Sequence, residues 1–238
     1  MLGSIVVDPR FNGPPGSANG GYLAGRLAAF VDVPAVEVRL SAPPPLERPL
    51  RVVHGVDGAV ELFDGDALVA AARAGDLGLG VPATVSVAQA AAAADDVITP
   101  PELHPFPTCF ACGPLRVQGD ALRHQCGRVA DGLVACPMTT SEMLPHDDDG
   151  NLLPEIVWAA LDCPGAAACV PVGGVPHVLA TFTARIDAPV AVGEPHVCVA
   201  WPLGVDGRKR RAGSAILAAD GSVCAVAHAL WIAIRRDG

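Results

Sequence analysis

Lysine is almost missing from this chain: Lys209 is the only one among 238 residues, and every other basic residue except histidine is an arginine. Aromatics are scarce too, at 4%, with Tyr22 the single tyrosine, so a core has to be built largely from Ala, Val and Leu. Charged residues reach only 17% against 51% hydrophobic ones, which excludes an intrinsically disordered chain. Positive charge is in deficit, the net charge being −9. That balance argues against a general nucleic-acid binder, because a phosphate backbone asks for a basic face. No apolar run has the length to span a bilayer. Residues 1–8 lack a basic segment followed by a long apolar one, so no secretory signal is predicted and the expectation is a soluble, cytoplasmic protein. No cysteine precedes position 109, and eight follow, at 109, 112, 126, 136, 163, 169, 198 and 224. Without an export signal free thiols are expected. Cys198 and Cys224, inside apolar strand-like runs, read as small buried hydrophobes.

Residues 76–120 break the strand rhythm, with an alanine run over 90–94, Asp95-Asp96, and then Pro100, Pro101, Pro105 and Pro107. The alanines suit a short helix that the prolines end, and the stretch reads as a linker between units 1–75 and 121–238. Those units share a grammar. The first has a strand over 4–8, a Gly/Pro/Asn loop, and a helix over 20–31 with Leu23, Leu27, Phe30 and Val31 at helical spacing. Strands over 35–41, 49–56, 59–64 and 67–73 follow, with turns at Asp57-Gly58 and Asp64-Gly65. The second has extended pieces at 121–129 and 132–138, an acidic loop over 146–151, and a helix over 154–169 opened by Pro154. Its strands are predicted at 177–188, 195–204, 211–219 and 222–235. This is an α+β unit written twice. The helix around Ile156, Val157, Trp158, Ala159, Ala160 and Leu161 is apolar nearly all round, so it must be buried, with a curved sheet as its cover.

Three stretches carry a family resemblance. They are Asn19-Gly20-Gly21-Tyr22-Leu23; Cys109-Phe110-Ala111-Cys112-Gly113-Pro114 followed by Gly119-Asp120-Ala121-Leu122-Arg123; and a closing hairpin with Gly207-Arg208-Lys209, Ser214-Ala215, Asp220-Gly221 and Trp231-Ile232. In that order the chain resembles the hotdog-fold acyl-CoA thioesterases, in a double-hotdog arrangement of the phenylacetyl-CoA thioesterase type. The resemblance implies an α+β double hotdog, two antiparallel sheets each wrapped around a long central helix. It also implies an acyl-CoA thioester substrate, coenzyme A entering as part of that substrate with no separate cofactor. Such enzymes pair a helix start, which polarises the thioester carbonyl, with an acid on the opposite helix acting as base or nucleophile.

The two halves divide those parts unequally. The first helix opens with Asn19-Gly20-Gly21 but carries no acid before Asp32, whereas the second lacks a Gly-Gly start and carries Asp162 in apolar company. One composite site follows, with the amides of Gly20 and Gly21 facing Asp162, and Asn19 either holding a carbonyl or capping the helix. Glycine allows close approach of a thioester, the helix dipole favours an oxyanion, and desolvation raises a buried carboxylate towards the range of a base. The same residues also read blandly: Asn19 as a cap over glycines packed on a sheet, and Asp162 as an acid satisfied by N–H groups or an arginine. Tyr22 is expected to line an acyl pocket. Glu155 falls where the first helix has its glycines and suits a helix dipole. Arg208, Lys209 and Arg210 either hold coenzyme A phosphates or form a solvated turn. No metal is expected: Cys109-x-x-Cys112 lacks a second close pair, Cys126 and Cys136 stand ten apart, and His104 and His124 are isolated. Rival readings are a hydratase or dehydratase, whose Asp/His pair is missing from both helix starts, and a non-catalytic acyl-CoA-binding module. Exposed sheet edges leave a homodimer open.

Overall fold

Alternation of valine with charged residues in Ala-Val-Glu-Val-Arg-Leu writes a half-buried strand, and here Val36 and Val38 face the core while Arg39 faces out. The same logic repeats along the chain, seen in a computed structural model that describes residues 1–234. The N-terminal half holds β1 (Gly3–Ile5), α1 (Gly20–Ala28), β2 (Ala35–Leu40), β3 (Leu50–His54), β4 (Val60–Asp64) and β5 (Ala67–Ala74). After α2 (Val87–Ala94) come β6 (Gly127–Ala130), β7 (Leu133–Thr139), α3 (Pro154–Cys169), β8 (His177–Ile186), β9 (Pro195–Asp206), β10 (Lys209–Ala218) and β11 (Val223–Ala233). The end of the strand expected over 222–235 lies outside the described residues.

Among the described residues all strands join in one eleven-stranded antiparallel sheet, ordered β1-β3-β4-β5-β2-β8-β11-β10-β9-β7-β6. This corrects the expectation of two sheets. The halves meet edge to edge, β2 pairing with β8 through Val36↔Ala184, Glu37↔Thr183 and Val38↔Phe182, so the donors and acceptors that would end each sheet are used in the seam. Either side of the seam the order is the same. Reading outward to inward gives β1-β3-β4-β5-β2 on one side and, inside the extra edge strand β6, β7-β9-β10-β11-β8 on the other, with α1 between β1 and β2 and α3 between β7 and β8.

The two helices differ in length. Asn19 caps α1, its Oδ1 accepting from Tyr22 N–H at 2.8 Å. The helix expected to reach 31 ends at Ala28, because Phe30 and Val31 bond back to Leu27 and Ala28 in a tightened last turn. At nine residues α1 is not a long central helix, whereas α3 runs for sixteen. Pro164 lies inside α3 and withholds the N–H that Ala160 O would accept. One residue on, Ser214 Oγ donates to Leu161 O at 2.7 Å.

The sheet buries both faces in the C-terminal half. The main core joins both helices with residues such as Leu23, Leu27, Val38, Ile156, Leu161 and Phe182. A smaller core under α2 holds Ala90, Ala135, Val197, Val199 and Leu217 on the opposite face. Residues 76–120 enter both, through Leu77, Val85 and Ala90 on one face and Phe110 on the other. The strand expected from 121 begins only at Gly127. Ahead of it, Leu122 and His124 bond to Phe110 O and Ala111 O, which pins this piece to the Cys109–Cys112 segment.

Candidate active site

Helices α1 and α3 touch at glycine. A Cβ on Gly21 would stand 2.6 Å from Trp158 O and 2.7 Å from Asp162 Cβ, and one on Gly25 would stand 2.6 Å from Glu155 Cα. The pair therefore runs antiparallel, with the start of α1 against Asp162 and the start of α3 against Gly25. Gly21 is glycine because α3 occupies the space of a side chain. Its N–H donates to Asp162 Oδ2 at 3.0 Å, and Asn19 Nδ2 donates to the same oxygen at 3.0 Å. Asn19 thus has two tasks, capping α1 with its oxygen and holding the acid with its nitrogen. Asp162 is only 2% exposed, and among the described residues its Oδ1 has no hydrogen-bond partner. Burial raises its pKa to about 7, with the hydrogen bonds from Gly21 and Asn19 opposing that rise and the nearby Cys109 adding to it.

A cavity of about 930 Å³ opens at this junction, its wall including Asn19, Gly20, His104, Cys109, Asp162 and Leu179. Gly21 N–H is taken up by Asp162, so of the two glycine amides expected to face a substrate, Gly20 is the one left. Gly20 lines the cavity, and no partner holds its N–H among the described residues. The wall also carries thiols. Cys109 Sγ lies 3.8 Å from Asn19 Nδ2 and 3.9 Å from Cys163 Sγ, and the sulfurs of Cys109, Cys112 and Cys163 are all within 4.8 Å of one another. Hydrogen bonds from Cys112 and Cys163 hold Cys109 well below the usual thiol range. In the sequence the Cys109-x-x-Cys112 motif was visible, but not its approach to the residue following Asp162.

The other expected binding residues stand apart from this cavity. Tyr22 stacks on Phe11 with ring centroids 4.1 Å apart, and its hydroxyl accepts from Arg26 at 3.1 Å. Glu155 pairs with Arg26 at 3.8 Å, closing the junction that corresponds, across the repeat, to the one holding Asp162. Arg208 and Lys209 are exposed at the β9–β10 turn, where Arg208 donates to Ala233 O at 3.0 Å, and Arg210 is half-buried. None of these five lines the cavity. A second group of donors, His124, Cys136 and Cys198, converges beneath α3. Burial holds the His124 imidazole at a pKa of about 4, so it is neutral.

No protein-family model matches the sequence, and no curated protein matches it either. Solved structures do match. A conserved protein with a hot dog fold from Alicyclobacillus acidocaldarius superposes with a TM-score of 0.60 at 16% identity, covering 98% of this chain and 93% of that one. The tesB protein of Mycobacterium avium subsp. paratuberculosis gives a TM-score of 0.60 at 12% identity, covering 98% and 92%. The chain has the hotdog fold. At such identities the likeness carries the fold alone, and chemistry has to be argued from the site. Within this hotdog the described residues include no helix long and apolar enough to cross a membrane.

Proposed function

We propose that this protein is a double hotdog that hydrolyses an acyl-CoA thioester at a single composite site, the junction of α1 and α3. The observation that carries the reading is the division of labour within one carboxylate. Oδ2 is fixed by Asn19 and Gly21, and Oδ1 is buried, unpartnered and part of a residue on the cavity wall. Such an oxygen suits a water molecule. Asp162 takes its proton, and the hydroxide attacks the thioester carbonyl. The oxyanion forms against the Gly20 N–H at the positive end of α1. When the C–S bond breaks, the proton on Asp162 passes to the leaving thiolate, which departs as coenzyme A, and the acyl group leaves as its acid. The thioesterase names given to structural neighbours, among them a protein from Novosphingobium aromaticivorans, agree with this reading.

The test is a hydrolysis screen with free-thiol detection over short, medium, long and aromatic CoA esters, run on the wild-type chain and on Asp162→Asn. Removing a general base is expected to lower kcat by about 100-fold or more, while the amide oxygen of the variant side chain can still accept from Asn19 and Gly21 and keep the junction folded. Thiol release that is unchanged in the variant would overturn the mechanism. Tight binding of an ester that is never turned over would make the protein a binding module instead.

A further inference from the structure

Cys136 lies ten positions after Cys126, and Cys198 sixty-two positions after Cys136, yet strand register puts all three thiols in one row. The β6–β7 hairpin pairs Gly127 with Ala135, which sets Cys126 beside Cys136, and β7 pairs with β9 through Cys136↔Cys198. Residues on either side of this row, Ala135, Val197 and Val199, belong to the core under α2, so the row itself points to the α3 face. Cys126 Sγ lies 3.4 Å from Cys136 Sγ. The imidazole of His124, two residues before Cys126, enters the same space, with Nδ1 3.4 Å from Cys136 Sγ and Nε2 3.8 Å from Cys198 Sγ.

We propose that His124, Cys126, Cys136 and Cys198 bind one zinc ion as a closed structural site. Three thiolates and an imidazole form a known type of tetrahedral zinc set, and with zinc–sulfur bonds of about 2.3 Å its sulfurs stand about 3.8 Å apart. The donor atoms of His124, Cys136 and Cys198 already lie within 4.8 Å of one another, with His124 presenting one of its two ring nitrogens, and Cys126, 3.4 Å from Cys136, has to turn in as the fourth ligand. Exposures of 5%, 6%, 0% and 1% bury the whole set, with His124 and Cys126 on the side towards the cavity, and four protein ligands would leave no coordination position for water, as in a structural site. Each coordinating thiol gives up its proton when the metal enters, with no change of oxidation state. The ion would tie the 124–126 segment, part of the cavity wall, to strands β7 and β9. The Cys109, Cys112 and Cys163 thiols are the competing location for the same ion.

The experiment is metal analysis of the whole protein after zinc loading, followed by cobalt substitution and its thiolate absorption. One equivalent of zinc is expected in the wild-type chain and in Cys163→Ser, and none in Cys136→Ser or His124→Ala. X-ray absorption at the zinc edge of the wild-type protein needs no variant, and should show three sulfurs and one nitrogen. Absence of bound zinc, retention in Cys136→Ser with loss in Cys163→Ser, or an edge spectrum without nitrogen would each overturn the proposal.

Discussion

A carboxylate on a helix turn shared with Trp158, Ala159, Ala160 and Leu161 loses its hydration, and the two donors that reach Asp162 serve only Oδ2. Its pKa of about 7 then has two consequences of defined sign. For catalysis the ionised form is the base, so kcat/KM should rise with pH through about 7 and level off above it, as read from a pH–rate profile. For stability, the unfolded chain ionises this acid near 3.8 while the folded chain keeps it protonated to about 7. Between those values the folded state binds more protons, so this residue's contribution falls as pH rises. Asp162→Asn has no such titration. Its melting temperature should match wild type near pH 4 and exceed it near pH 8, and an equal offset at both pH values would contradict the raised pKa. Asp162 was legible in the sequence as one acid on an apolar helix. The use of Gly21 was not, because its missing side chain makes room for α3 and its N–H serves the acid, neither of which is visible in a Gly-Gly pair.

Between α1 and α3 the packing is set by backbone approach, so alanine substitutions should grade with what the new Cβ meets. At Gly21 and Gly25 the obstacles are backbone atoms at 2.6 Å, which cannot rotate away. Gly21→Ala and Gly25→Ala should each destabilise the fold by about 1–3 kcal/mol in urea titrations, the usual range for overpacking. Gly20→Ala meets only Leu179 and Leu40 side-chain atoms at 3.0–3.2 Å, and should lose less. Elements were readable where one face repeats: the alternation in β2 and the apolar run of α3 both put their mark on the sequence. They were unreadable where a distant partner decides. Residues 121–126 look extended but are bonded to Phe110 and Ala111, and Ile98 N–H donates to the carbonyl of Cys126. His124, Cys126, Cys136 and Cys198 looked scattered because hairpin register, not sequence separation, brings them together.

For the molecule as a whole the seam matters most. Duplication could be read from two copies of one strand–helix–meander order, but the joining of their sheets depends on β2 and β8 presenting free edges of matching register. Phe182 sits at that seam opposite Val38, fully buried and edge-on to Trp158 at 5.6 Å. Phe182→Ala should cost about 3–5 kcal/mol by leaving a cavity. Because the seam and the shared core span both halves, calorimetry should show one unfolding transition, and two resolved transitions would contradict that cooperativity. The closure of the twin junction by Glu155 and Arg26 reaches further. A symmetric pair of separate chains must use one sequence at both of its crossings, so no crossing can specialise without its twin. Fusion removes that bond, and a designer wanting a second working crossing would rewrite the start of α3 and its neighbours on α1 without touching Asn19, Gly20 or Asp162.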